Sequence, residues 1–142
     1  MSYLKYVAVG DSQTEGLNDG DEETGYRGWA DRLAEVLAKQ DPRFRYANLA
    51  VRGRRTREIR ADQTGAALAL EPDLVTVMAG MNDLMRPSFD AAAVAADVDA
   101  MLDAFTDSGA RVVTFTFPDI AKIAPLARHA RPRVLDLNRR IR

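Results

Sequence analysis

The sequence predicts an α/β fold in which helices cover a parallel sheet. Three observations predict it. Short apolar runs alternate with amphipathic helical stretches along the whole chain. Each apolar run stops at a polar turn containing glycine or proline. The 142 residues, 46% hydrophobic and 29% charged, have the composition of one ordinary globular domain, here 1–142.

The elements follow in order. Tyr3–Val9 reads as a first strand, stopped by Gly10. Gly28 to Lys39 reads as a helix, because Trp29, Leu33, Val36 and Leu37 recur at helical spacing. Asp41-Pro42 ends it. Phe44–Leu49 is a second strand, and Thr56 to Leu70 a second helix. Leu74–Ala79 is a third strand ended by Gly80. Asp90 is placed to cap a helix running to about Asp107, whose Val94, Val98, Met101, Leu102 and Phe105 form one apolar stripe. Val112–Phe117 is a fourth strand, stopped by Pro118. Arg131 to Arg142 is a last helix, with Pro132 early and Val134, Leu137 and Ile141 on one face. Strand alternating with helix implies parallel strands joined by right-handed crossovers, and so a doubly wound, flavodoxin-like sheet. Its expected strand order is 2-1-3-4, with strand one central. The last helical segment has no C-cap glycine and no fifth strand follows it, so the domain is expected to be an incomplete part of a longer chain.

Composition removes several classes of function. Twenty basic residues against 21 acidic ones give a net charge of −1, so no global basic field favours nucleic acid. Cysteine is absent and histidine occurs once, at His129, which excludes disulfides, a thiol nucleophile and multi-histidine metal sites. No apolar run approaches the roughly 18 residues that would span a bilayer. The N-terminus lacks the pattern of a secretory signal, so a cytoplasmic location is expected.

In a doubly wound sheet, ligands bind beyond the C-terminal ends of the strands. Polar clusters fall at those ends: Gly10-Asp11-Ser12-Gln13-Thr14-Glu15-Gly16, Asn48-Leu49-Ala50-Val51-Arg52-Gly53, Gly80-Met81-Asn82-Asp83 and Pro118-Asp119. Ser12 offers a hydroxyl that becomes a nucleophile if a base removes its proton. Asn82 offers an amide, and Gly53 a backbone N–H, to an anionic oxygen. Taken singly, the three residue types also serve as a cap, a turn and a positive-φ glycine. The arginines at 52, 54, 55, 57 and 60 suit either an anionic ligand or a solvated helix face.

In this order and strand context the first three clusters resemble blocks I, II and III of the GDSL-type, or SGNH, hydrolases. Gln13 replaces the leucine of the usual first block. The resemblance covers essentially the whole chain. It implies a three-layer α/β/α SGNH fold, apparently truncated at its C-terminus. It also implies Ser12 as nucleophile, with Ser12 N–H, Gly53 N–H and the Asn82 side chain as oxyanion donors. The implied reaction is hydrolysis of a carboxylic ester or thioester through an acyl-Ser12 intermediate. The implied partner is a small-molecule substrate, with no cofactor, metal, nucleic acid or membrane. The family's block V, D-x-x-H, is absent. His129 has Leu126 three positions before it, and it precedes the last helix, so it is a poor match for the base. Asp119 and Asp136 are equally poor matches for the orienting acid. The base is therefore expected to be missing from this chain. Two alternatives stay open: a non-catalytic α/β binding module that keeps the oxyanion pocket, and pairing with a separate chain that carries D-x-x-H.

Overall fold

The computed structural model describes residues 2–142, apart from the side chains of residues 120, 123, 126 and 127. The elements are β1 (Lys5–Gly10), α1 (Ser12–Glu15), β2 (Gly20–Asp21), β3 (Gly25–Tyr26), α2 (Trp29–Ala38) and β4 (Arg45–Asn48). They continue with α3 (Thr56–Ala69), β5 (Leu74–Met78), α4 (Met81–Leu84), α5 (Ala91–Asp107) and β6 (Arg111–Thr114). The last are α6 (Ile120–Ile123), a 3-10 helix (Pro125–Ala130) and α7 (Arg131–Ile141). The main sheet has the order β4-β1-β5-β6, every pair parallel. This is the expected 2-1-3-4 order, with β1 and β5 inside and β4 and β6 at the edges.

Register explains why β1 and β5 read as unbroken apolar runs. Tyr6 faces Tyr46 on one side and Leu74 on the other. One sheet face sends Val7, Val9, Val75 and Val77 against Ile59 and Ala67 of α3 and Val98, Met101 and Phe105 of α5. The opposite face sends Tyr6, Ala8 and Leu74 against Ala30, Ala34 and Leu37 of α2. Strands buried on both faces lose the alternation of a half-exposed strand. Fully burying a side chain such as Phe105 stabilises by roughly 1.5–3 kcal/mol. A third cluster joins Leu84, Val94 and Phe117 to Val134 and Leu137 of α7. Among the described residues β6 pairs only with β5, and Val113 on it is 40% exposed, so its outer edge is open.

Several boundaries differ from expectation, each for a local reason. The fourth strand stops at Thr114 rather than Phe117. Beyond it, the side chain of Asn138 on α7 takes both peptide groups of Phe117: Phe117 N donates to Asn138 Oδ1 and Asn138 Nδ2 donates to Phe117 O, each at 2.7 Å. The first strand starts at Lys5 rather than Tyr3, and the Asp73 carboxylate holds its start by accepting from Leu4 N at 2.8 Å and Lys5 N at 2.9 Å. The loop between α1 and α2 holds an unexpected hairpin of β2 and β3. Asp21 makes its turn by accepting from Glu23 N, Thr24 N and Thr24 Oγ1. No described helix is long and apolar enough to cross a membrane.

Candidate active site

The order β4-β1-β5 brings three turns out side by side at the C-terminal sheet edge. The central turn carries Ser12 as the first residue of α1. Asp11 caps that helix, accepting from Gln13 N at 3.1 Å, and Gly16 ends it in the left-handed region. The strand end behind Ser12 is clamped by Gln63 of α3. Gly10 N donates to Gln63 Oε1 at 3.0 Å and Gln63 Nε2 donates to Gly10 O at 2.9 Å, both buried. A side-chain amide thus pairs with a peptide group as a neighbouring strand would.

The turn after β4 is stitched to α1. Asn48 Nδ2 donates to Thr14 O at 2.8 Å, while Asn48 Oδ1 accepts from Ala50 N. Arg52 N and Nε both donate to the Glu15 carboxylate, and the guanidinium lies 5.2 Å over the Tyr26 ring. Gly53 follows at φ +76, a conformation that L side chains adopt at a cost of about 1–2 kcal/mol. The open space around a Cβ placed there leaves the backbone as the reason for glycine.

The same turn is stitched to the turn after β5. Asn82 Nδ2 donates to Arg54 O at 2.9 Å. A side-chain amide nitrogen carries two hydrogens, so one anchors Asn82 and one remains. Asp83 accepts from Thr56 N at 2.8 Å and Thr56 Oγ1 at 2.7 Å, which places a carboxylate at the N-terminus of α3, where the helix dipole favours it. Ser12, Gly53 and Asn82 therefore sit on three turns at one edge, with the turn after β4 bonded to each of the other two. The Ser12 hydroxyl makes no hydrogen bond with any described residue, so nothing among them activates it.

Asp11 is 1% exposed. Burial pushes its carboxyl above the usual aspartate range, the Gln13 N–H pulls it down, and the charge of Asp83 pushes it up again. The folded state therefore binds more protons at Asp11 than the unfolded state, from the ordinary aspartate range up through the raised value. Stability contributed there is present at low pH and is lost as pH rises through that window. Asp11→Asn keeps an acceptor for Gln13 N and removes the charge. Its unfolding free energy relative to the parent is expected to improve between pH 3 and pH 7 in urea titrations. An identical difference at both pH values would reduce Asp11 to a hydrogen-bond acceptor.

His129 lies exposed in the 3-10 helix between α6 and α7. Asp119 accepts from Arg131 Nε at 2.8 Å, which holds its carboxyl below the usual range. Asp136 pairs with Arg139 and Arg140. Both acids are committed to arginines. No group of three or more His, Asp or Glu among the described residues is arranged to hold a metal. Sequence reasoning missed Gln63, whose signal was a polar residue between Ile59 and Ala67 on the buried stripe of α3.

The model of the GDSL-like lipase/acylhydrolase family matches residues 8–142. The chain belongs to that family. Solved structures similar to this acylhydrolase-family chain include LAE5, an alpha/beta hydrolase enzyme from the metagenome of Lake Arreo, Spain. It is 21% identical, with 99% of this chain and 71% of that chain covered and a TM-score of 0.76. Axe2, an acetylxylan esterase from Geobacillus stearothermophilus, is 18% identical in a catalytic mutant, covering 99% and 72%, with the same TM-score. A GDSL-like lipase from Bacteroides thetaiotaomicron is 18% identical, covering 96% and 61%, with a TM-score of 0.67. At such identities the likeness is one of fold. No curated protein matches the chain.

Proposed function

We propose that this acylhydrolase-family chain carries the nucleophile and oxyanion hole of a serine esterase acting on a carboxylic ester or thioester. The observation that carries the reading is the anchored Asn82, one N–H held by Arg54 O and one left over, on a turn bonded to that of Gly53, which is itself bonded to that of Ser12. In the reaction, Ser12 Oγ adds to the carbonyl carbon and loses its proton to a base. The oxyanion receives Gly53 N–H, Ser12 N–H and the remaining Asn82 N–H. Collapse returns the proton to the departing alcohol or thiol and leaves acyl-Ser12, which water then cleaves. Donors already fixed in place need no reorganisation, and each is worth about 3 kcal/mol of barrier.

The base comes from an Asp-x-x-His segment outside these 142 residues. His129 with Leu126 before it lacks that pattern. In Axe2, catalytic mutants alter a serine, an aspartate and a histidine, the last two three positions apart. The bare Ser12 hydroxyl also favours a second reading, a binding module that keeps the oxyanion pocket without hydrolysis. Turnover of p-nitrophenyl acetate separates them. The 142-residue chain is expected to be nearly inert, and a chain extended to an Asp-x-x-His segment active. Full activity of the short chain, lost in His129→Ala, would make His129 the base. An extended chain inert towards esters and thioesters would leave the binding module.

A further inference from the structure

The arginines around the turn after β4 sort by their partners. Arg52 bonds Glu15, and Arg60 Nη1 lies 2.9 Å from Asp97. Arg54 lies 3.6 Å from Asp62. Arg55 lies 3.5 Å from Glu58, yet its buried Nε–H has no hydrogen-bond partner. Arg57 makes no ion pair among the described residues, and neither does Arg86 at the end of the turn after β5. Arg55, Arg57 and Arg86 line one cleft of about 210 Å³, walled on one side by Phe89 and Val94.

Each carboxylate of the same cleft has one oxygen engaged. Asp83 accepts from Thr56, Asp90 from Ala92 N and Ala93 N, and Asp97 from Arg60. The cleft thus holds unused guanidinium N–H groups beside three carboxylates that each keep one oxygen on a partner. Guanidinium forks match the oxygens of a phosphate or carboxylate in pairs, with charge-assisted hydrogen bonds stronger than neutral ones. A hydrated helix face has no need of three arginines lining one concavity.

We propose that this cleft binds an anionic oxygen group, a phosphate or carboxylate, through Arg55, Arg57 and Arg86. Asp83 belongs to the cleft and is the neighbour of Asn82, so the bound charge sits next to the candidate active site. On the esterase reading, which this consequence alone rests on, substrates bearing a negative group beside the scissile ester are preferred. Binding of the anion itself does not involve Ser12.

The test is a titration of the ¹⁵N-labelled chain with sodium phosphate at pH 7, chloride adjusted to keep ionic strength constant, and with succinate in a second arm. Expected are saturable amide shifts confined to residues 55–57 and 86–90. Arg57→Gln combined with Arg86→Gln, both exposed positions, should weaken binding at least tenfold, and Ser12→Ala should leave it unchanged. Saturation by either anion with these variant effects supports the site and tells phosphate from carboxylate. Linear shifts with both anions, or equal affinity in the double variant, overturn it. Saturable binding by a chain whose extended form is inert towards esters removes the esterase reading and keeps this site. Ester turnover through Ser12 without saturable anion binding does the reverse.

Discussion

On the esterase reading, Ser12→Ala, in a chain extended to an Asp-x-x-His segment, is expected to lower ester turnover by about 10⁴-fold or more. Members of a nucleophile–base unit act together, so removing the nucleophile removes nearly all of their joint effect. The fold should not register the change. The hydroxyl has no hydrogen-bond partner among the described residues, so the unfolding free energy should move by less than about 0.5 kcal/mol. Asn82→Ala should cost about 10²- to 10³-fold in kcat, the loss of one oxyanion donor, with KM little changed. Its stability should fall somewhat as well, because Asn82 also holds Arg54 O. Steady-state kinetics on p-nitrophenyl acetate with parallel urea titrations separates the two effects. Retained turnover in Ser12→Ala would mean that hydrolysis does not pass through Ser12.

The strands were legible because the sheet is covered on both faces. A run such as Leu74–Met78 has little alternative use in a protein of this size, and a turn glycine ends it. Strand order was legible from the handedness and connectivity rules that such a pattern imposes. Ser12, Gly53 and Asn82 stood out as polar residues at strand ends, and the ordering of the strands brings their turns to one edge. What stayed hidden depends on partners distant in the chain. Gln63 and Asn138 are amides that satisfy the peptide groups of Gly10 and Phe117, 53 and 21 residues away. Nothing local distinguishes them from exposed helix residues except their place on an apolar stripe. The arginine cluster was undecidable for the same reason. Only tertiary structure shows which of its members have carboxylates and which face a shared cleft.

The second large effect is expected at Gln63, remote in sequence from Ser12, Gly53 and Asn82 yet bonded to the strand end that precedes Ser12. Gln63→Leu strips the buried Gly10 N–H of its acceptor, while Gly10 O keeps Val51 N at 3.2 Å. An orphaned buried donor costs about 1–3 kcal/mol, and the variant should lose that much stability. Turnover of the extended chain should fall about 100-fold, the penalty when reacting groups shift by about 1 Å. Gln63→Glu makes the argument sharper. A protonated carboxyl there reproduces both bonds, accepting from Gly10 N and donating to Gly10 O. An ionised one faces Gly10 O with no donor, in a position only 4% exposed. Burial favours the neutral form, so its folded pKa lies above the unfolded value of about 4.3. The folded state then binds more protons, and stability falls as pH rises from about 4.3 through the folded pKa. Urea titrations should find Gln63→Glu close to the parent at pH 4 and well below it at pH 8. The leucine variant should show the same deficit at both. A glutamate variant without that pH dependence would mean that the Gly10 peptide finds other partners, and that Ser12 is positioned by the Asp11 cap and the Asn48 bond to Thr14 alone.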